Sequence, residues 1–246
     1  MRRQISILTV LFTVLIAIIL AETEFSLYRS MGEAAQLDAV KAKEYQDKNT
    51  RMGKMAYEAK DYSKLIGMEG FSETLLKNHF TLYQGYVTNT NKLMDALAAM
   101  LKDGKVGTPE YAELKRRLGW EFNGMRLHEY YFGNLGGKAA LDKSGKLAKK
   151  LIESFGSYED WEKDFKGTGA MRGIGWAILY QDNMTGKLFT QWINEHDVGH
   201  PAGCNPILVM DVFEHAYITD YGLKRADYIG AFFKNINWAV VESQLK

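Results

Sequence analysis

The positions Leu75, Leu76, His79, Leu82, Tyr83, Tyr86 and Val87 recur at the 3.6-residue period of a helix. Ser72 supplies an N-cap and Glu73 an acidic first turn, and Lys102-Asp103-Gly104 stops the run after Leu101. A second helix begins at Thr108-Pro109-Glu110, a cap followed by proline at the first helical position. It continues through Leu114, Leu118, Phe122 and Met125 to Tyr131, where Gly133 and Gly136-Gly137 end it. Two long helices with a short connection predict an antiparallel hairpin.

Leu141 to Phe155 predicts a third helix, and Ser157 caps a fourth. The period changes after Gly173. Trp176 to Tyr180 and Lys187 to Trp192 predict two strands around the turn Asp182-Asn183-Met184-Thr185-Gly186. Pro206 to Met210 predicts a third, fully apolar strand, and Arg225 to Val241 a closing helix. The expected class is α+β, with an N-terminal antiparallel helical hairpin at 57–136. A C-terminal domain at 137–246 carries a three-stranded antiparallel sheet and helices. Residues 22–56 are polar and charged, and a proline-free stretch rich in helix formers from Glu33 to Lys60 predicts a partly helical extension.

Residues 1–21 stand apart. Arg2 and Arg3 precede an uncharged, mostly apolar run from Ile5 to Ala21. A basic start, an apolar stretch and a small residue at its end read as a secretory signal. The run is also long enough to serve, uncleaved, as a membrane tether through residues 5–21. The expectation is an exported protein, periplasmic or secreted, with anchoring as the alternative. Removal of 1–21 takes Arg2 and Arg3 with it and leaves 29 basic against 30 acidic residues, net −1. The full chain carries +1, so nothing argues for a nucleic-acid partner. Cys204 is the single cysteine and cannot form an internal disulfide. It is expected to be a small buried apolar residue, with metal ligation as the alternative.

Candidate chemistry lies in the histidines. Each has an ordinary explanation alone: His79 and His128 fall on apolar helix faces, where a histidine is more often a hydrogen-bonded core residue than a ligand. Their combination changes the picture. They occupy the two arms of one hairpin, while Asp211 and His215 flank the turn after the third strand. A buried Asp211 needs donors, a cationic partner or a metal. Three imidazoles and one carboxylate suit iron or manganese better than a structural zinc, which favours thiolates.

These segments resemble the iron/manganese superoxide dismutases. Thr74-Leu75-Leu76-Lys77-Asn78-His79, followed by Tyr86-Val87-Thr88-Asn89-Thr90-Asn91, is similar to that family's first ligand helix. Phe122 to Tyr131, which contains His128, is similar to the second. Gly173-Ile174-Gly175-Trp176-Ala177 resembles the segment with the active-site tryptophan. Asp211-Val212-Phe213-Glu214-His215-Ala216-Tyr217 is close to its D-x-W-E-H-A-Y signature. Arg225 to Phe233 with Asn237-Trp238 resembles its last helix, so the likeness runs from about Tyr57 to the end. It implies one iron or manganese ion per subunit on His79, His128, Asp211 and His215, with solvent as a fifth ligand. It implies superoxide as the substrate, dismuted to oxygen and hydrogen peroxide, and a homodimer. It assigns the substrate-gate tyrosine to Tyr86 and the active-site indole to Trp176. Glu214 is expected to reach the last histidine ligand of a second subunit.

The chain also departs from that pattern. The family's glutamine that bonds the bound solvent comes from one of two places; the first is Gly124 here and the second falls on His196, which is therefore the expected contact. Tyr83 takes the place of a histidine that bonds across the dimer, and Ile218 takes the place of its tyrosine partner. Losing both ends avoids an unpaired buried polar group, which costs about 1–3 kcal/mol, and points to a different outer proton route. Phe213 and Ile178 replace other aromatics and keep the pocket apolar. Two further readings stand beside the enzyme: a non-catalytic relative holding the metal as an envelope protein, and a metal hydrolase with Glu195 as its only candidate base.

Overall fold

The computed structural model describes residues 56–246 together with the positions Gln36, Val40, Lys41 and Lys43. The leader at 1–21 lies outside the described residues, as does the 22–56 extension apart from Ala56 and those four positions, which are helical and exposed. The chain divides into two compact units, Met1–Ala56 and Tyr57–Lys246. Every helix and strand of described bounds belongs to the second.

Helix α1 spans Glu73–Lys102 and α2 spans Pro109–Gly133. Each begins on its expected cap. Ser72 Oγ accepts from Leu75 N at 3.1 Å and Thr108 Oγ1 from Tyr111 N at 3.2 Å, satisfying donors that a helix start otherwise leaves orphaned. The helices run antiparallel, since Tyr83 meets Glu129 while Asn89, further along α1, meets Glu121, earlier on α2. Helices α3, Lys146–Phe155, and α4, Tyr158–Gly169, follow, the latter capped by Ser157.

Three antiparallel strands come next: β1, Trp176–Asp182; β2, Leu188–Ile193; and β3, Cys204–Asp211. The order is β2-β1-β3. The central strand β1 is buried from Trp176 to Gln181, which is why its sequence is almost continuously apolar. Trp176 pairs with Asp211 and Tyr180 with Pro206, and the register shifts between Leu179 and Tyr180. Pro206 offers no N–H to the ladder, so an irregularity falls there. Helix α3 packs on β2, α4 on both β1 and β2, and α2 on β3. The chain closes with a 3-10 turn at Glu214–Ala216 and helices α5, Ile218–Tyr221, α6, Arg225–Lys234, and α7, Trp238–Ser243.

Three expectations need correction. The helix expected from Leu141 starts only at Lys146, because Asp142 Oδ1 accepts from Ser144 N at 2.8 Å and holds a turn instead. The first turn of α3 is then served from far away, with Glu242 Oε2 accepting from Leu147 N at 2.9 Å. The single closing helix from Arg225 to Val241 is two helices. Ile236 leaves the helix to pair with Leu135, Asn237 N donates to Asn134 O at 2.7 Å, and the Asn237 side chain caps α7. Cys204 is half-exposed at the start of β3 rather than buried.

Asn134 ties these parts together. It is fully buried at the end of α2, its Oδ1 accepts from Val209 N on β3 at 3.1 Å, and its carbonyl accepts from Asn237. Asn134→Ala leaves the Val209 N–H buried without a partner. Urea unfolding of the metal-free protein is expected to show a loss of about 1–3 kcal/mol with an unchanged m-value.

Candidate metal centre

His79 lies on α1, His128 on α2, Asp211 at the end of β3 and His215 on the 3-10 turn that follows. One ligand-capable atom from each lies within 4.8 Å of all the others. The geometry centres on Asp211 Oδ2, which stands 3.1 Å from His79 Nε2, 3.1 Å from His215 Nε2 and 3.6 Å from His128 Nε2. His79, His128 and Asp211 are completely buried, and His215 is partly exposed.

The Asp211 carboxylate is positioned from both ends. Its Oδ1 accepts from Phe213 N at 2.9 Å, and its backbone carbonyl accepts from the Tyr228 hydroxyl at 2.6 Å. Burial alone would push this carboxyl up, but the His215 and His79 imidazoles facing it hold it far below the usual carboxylate range. Burial likewise drives His79 down against the pull of Asp211, and His128 further, with His79 adding to the effect. At His215 the Asp211 carboxylate outweighs burial and raises the imidazole.

The donor set fits a cation. His128 Nδ1–H donates to the Gly124 carbonyl at 2.6 Å, so Nε2 carries the lone pair. That lone pair is buried, has no hydrogen-bond partner, and faces a carboxylate oxygen. Two electron-rich atoms held together in the protein interior repel unless a positive charge lies between them. Separations of 3.1 to 3.6 Å are those of ligand atoms each about 2 Å from a common ion. His79 Nδ1 is also buried and finds no partner among the described residues. Cys204 stands opposite Asp182, at the far end of β3 from Asp211, and is no member of the group.

Around these four sits an aromatic shell. Trp176 is buried at the start of β1, and its ring meets His128 edge-on at 5.1 Å. Tyr86, on the face of α1 that carries His79, stacks on His128 at 5.2 Å. His196, which is fully buried, joins the two: Trp176 Nε1–H donates to its Nδ1 at 3.1 Å, and its Nε2 meets the Tyr86 hydroxyl at 2.7 Å. An indole N–H can only donate. His196 Nδ1 is therefore the acceptor, the ring is neutral, and Nε2–H donates to Tyr86. Burial holds His196 at about 4 and pushes the Tyr86 phenol up to about 12, so both states persist near neutrality.

Other expected residues lie further out. The Tyr83 hydroxyl accepts from Lys60 N at 3.0 Å and donates to Glu129 Oε1 at 3.2 Å, all within one chain. The Glu214 side chain is exposed and meets no partner among the described residues. Gly124 turns out to be a requirement of shape, since a Cβ there would lie 2.5 Å from the Tyr86 ring. Trp120 was not foreseen. Its ring meets His196 at 4.7 Å, and its place eight residues before His128 and four before Gly124 on α2 was the available signal.

Similarity to known proteins points the same way. Residues 143–244 match the family described as iron/manganese superoxide dismutases, C-terminal domain. The chain is 39% identical over 202 residues to an iron superoxide dismutase of Aquifex pyrophilus, covering 79% of this chain and 93% of that one. An iron superoxide dismutase of Aquifex aeolicus is 38% identical with the same coverage. A manganese superoxide dismutase of Haloferax volcanii is 34% identical over 166 residues, covering 68% of this chain and 82% of its own.

Gly124→Ala forces the Tyr86 ring off His128. The metal-free variant is expected to lose about 1–3 kcal/mol in urea unfolding. A stability equal to the parent would show that the ring was never packed against position 124.

Proposed function

The chain belongs to the iron/manganese superoxide dismutase family, and on that premise we propose that it dismutes superoxide to oxygen and hydrogen peroxide at the His79, His128, Asp211 and His215 cluster. The observation that carries this reading is the unpartnered His128 lone pair aimed at Asp211 among three other donors. These four side chains would hold one iron or manganese ion, which would supply the one-electron couple needed to oxidise one superoxide to oxygen and to reduce a second, with two protons, to hydrogen peroxide. Three neutral imidazoles and a single carboxylate leave such an ion net positive, which favours approach of a small anion.

The remaining residues handle position and protons. Tyr86 presents its hydroxyl beside the cluster, and His196 Nε2–H donates to that oxygen. The Tyr86 proton is then free to point at the substrate, and the His196 N–H steadies the phenolate left by its transfer until solvent restores the proton. Trp176 holds His196 in this tautomer from the other side. The apolar walls made by Trp176, Trp120 and Phe213 keep bulk water away, which strengthens each of these interactions. Burial of His196 between two protein partners also argues for an enzyme over the non-catalytic envelope reading, because a storage site needs no poised proton donor.

Two coarser features complete the proposal. Glu214, exposed beside His215, suits a contact to a second copy of the chain in a homodimer. The Ile5–Ala21 run behind Arg2 and Arg3 supports export, with release or tethering decided by cleavage.

Purified, metal-loaded protein is expected to suppress superoxide-driven dye reduction, and failure with about one iron or manganese ion per chain would refute the enzymatic reading. Asp211→Asn should bring metal content far below one ion per chain in elemental analysis and abolish activity. His196→Ala should keep its metal but lose roughly 100-fold in turnover, because Tyr86, the positioned proton donor, loses the bond that aims it. Unchanged turnover together with an unchanged reduction potential would remove His196 from the mechanism. Glu214→Ala should convert a dimer to monomers in light scattering and lower metal content; a dimer with full metal would contradict its assigned contact.

A further inference from the structure

The fifth histidine, His200, lies outside both the metal cluster and its aromatic shell. It comes four residues after His196 on the loop between β2 and β3, and both of its ring nitrogens are engaged. His200 Nε2 stands 2.7 Å from the His196 backbone oxygen. A carbonyl oxygen can only accept, so Nε2 carries the hydrogen. His200 Nδ1 stands 2.7 Å from the hydroxyl of Tyr180, which donates to it when the ring is neutral. Tyr180 is almost fully buried on β1, where it stacks on Phe189.

Trp176 and Tyr180 are four residues apart on β1 and project to the same face of the strand. One grips the ring of His196 directly, and the other grips its backbone through His200. The loop needs such a hold. Glu195, immediately before His196, has φ +59°, and it is the only non-glycine residue with positive φ among the described residues. Asn194 and Val198 pair across this tight turn. A non-glycine residue in this region is strained and persists only when its surroundings enforce it. His196 therefore sits at the tip of a strained turn, while its Nε2–H must aim at Tyr86 with hydrogen-bond accuracy.

We propose that Tyr180 and His200 form a positioning pair that anchors the His196 backbone and so sets the aim of its Nε2–H at Tyr86. This rests on the dismutase reading above for its consequence in catalysis, but not for its structural content. Neither residue touches the four-residue cluster, so the pair should be dispensable for metal binding.

The experiment uses Tyr180→Phe, His200→Ala and the double variant of the full chain. In metal-free protein with 15N-labelled histidine, parental His196 is expected as a single tautomer protonated at Nε2. In either single variant its ring signals should broaden or show both tautomers, while far-UV circular dichroism stays unchanged. In metal-loaded protein, metal content should stay at the parental level and kcat should fall roughly fivefold, the equivalent of one lost hydrogen bond. The double variant should be no worse than His200→Ala, because the two residues act as one unit. Unchanged His196 signals in both single variants overturn the proposal, as do losses that multiply in the double variant. If His200→Ala does not fold, Tyr180→Phe decides alone, since it removes one oxygen and keeps the ring. Failure of the dismutase reading would appear differently, as an inactive parental protein whose His196 signals still respond to Tyr180→Phe.

Discussion

The structure depends on placing one carboxylate where water cannot reach it. Asp211 is fully buried, and an unpaired charge in that position would cost several kcal/mol. The fold answers by bringing nitrogen atoms from α1, α2 and the turn after β3 to one oxygen of this carboxylate. The other oxygen is taken by the Phe213 N–H. Three distant segments are thereby made to converge, and the hairpin and the sheet are oriented as that convergence requires. The arrangement is balanced only with a cation inside it, because the His128 lone pair finds no hydrogen. Metal binding and folding are therefore coupled, with the free energy of one adding to that of the other.

From this point the network extends outward by donors whose direction is settled. The Gly124 carbonyl fixes the tautomer of His128, and the Trp176 N–H fixes that of His196. Each assignment rests on a partner that can play only one role. The proton order along Trp176, His196 and Tyr86 is thus a property of the chain itself. Gly124 serves twice: its carbonyl orients His128, and its missing side chain leaves the space in which Tyr86 stacks on the same ring. A larger residue at this position could supply a hydrogen-bonding group only by evicting Tyr86. That explains why the side chain that hydrogen-bonds the tyrosine comes from the β2–β3 loop here and not from α2.

Much of this was legible because it is written in short-range spacing. His79 and Tyr86 share a face of α1, Ser72 and Thr108 announce helix starts, and Asp211 to Tyr217 carries its ligands within five residues. The parts that were not legible come from contacts between residues far apart in sequence. The first turn of α3, once Asp142 has delayed its start, is served by Glu242 from 95 residues away. The break between α6 and α7 reflects Asn134 and Leu135 drawing Ile236 and Asn237 out of a helix that local propensity would have continued. Gly124 could be read as lacking a side chain but not as making room for one. His200 carried no local signal, because both its partners are invisible without the loop's path.

Tyr83 and Ile218 show how two departures can be one change. Against a related protein with a polar pair at these positions, each substitution alone would strand a buried polar group. Here the Tyr83 phenol is almost fully buried and already bonded twice within its own chain. Glu129, which accepts from it, is held in turn by Arg126 at 2.6 Å and Lys60 at 3.1 Å. Nothing is left for Tyr83 to seek from a second subunit. Ile218 is an apolar side chain 46% exposed on the short helix after His215. Such a residue gains roughly 25 cal/mol for each Å² covered on association, with no geometry to satisfy. If two copies meet at this surface, the contact is governed there by burial and not by a directed hydrogen bond. The tyrosine is released to brace the hairpin beside His128 instead.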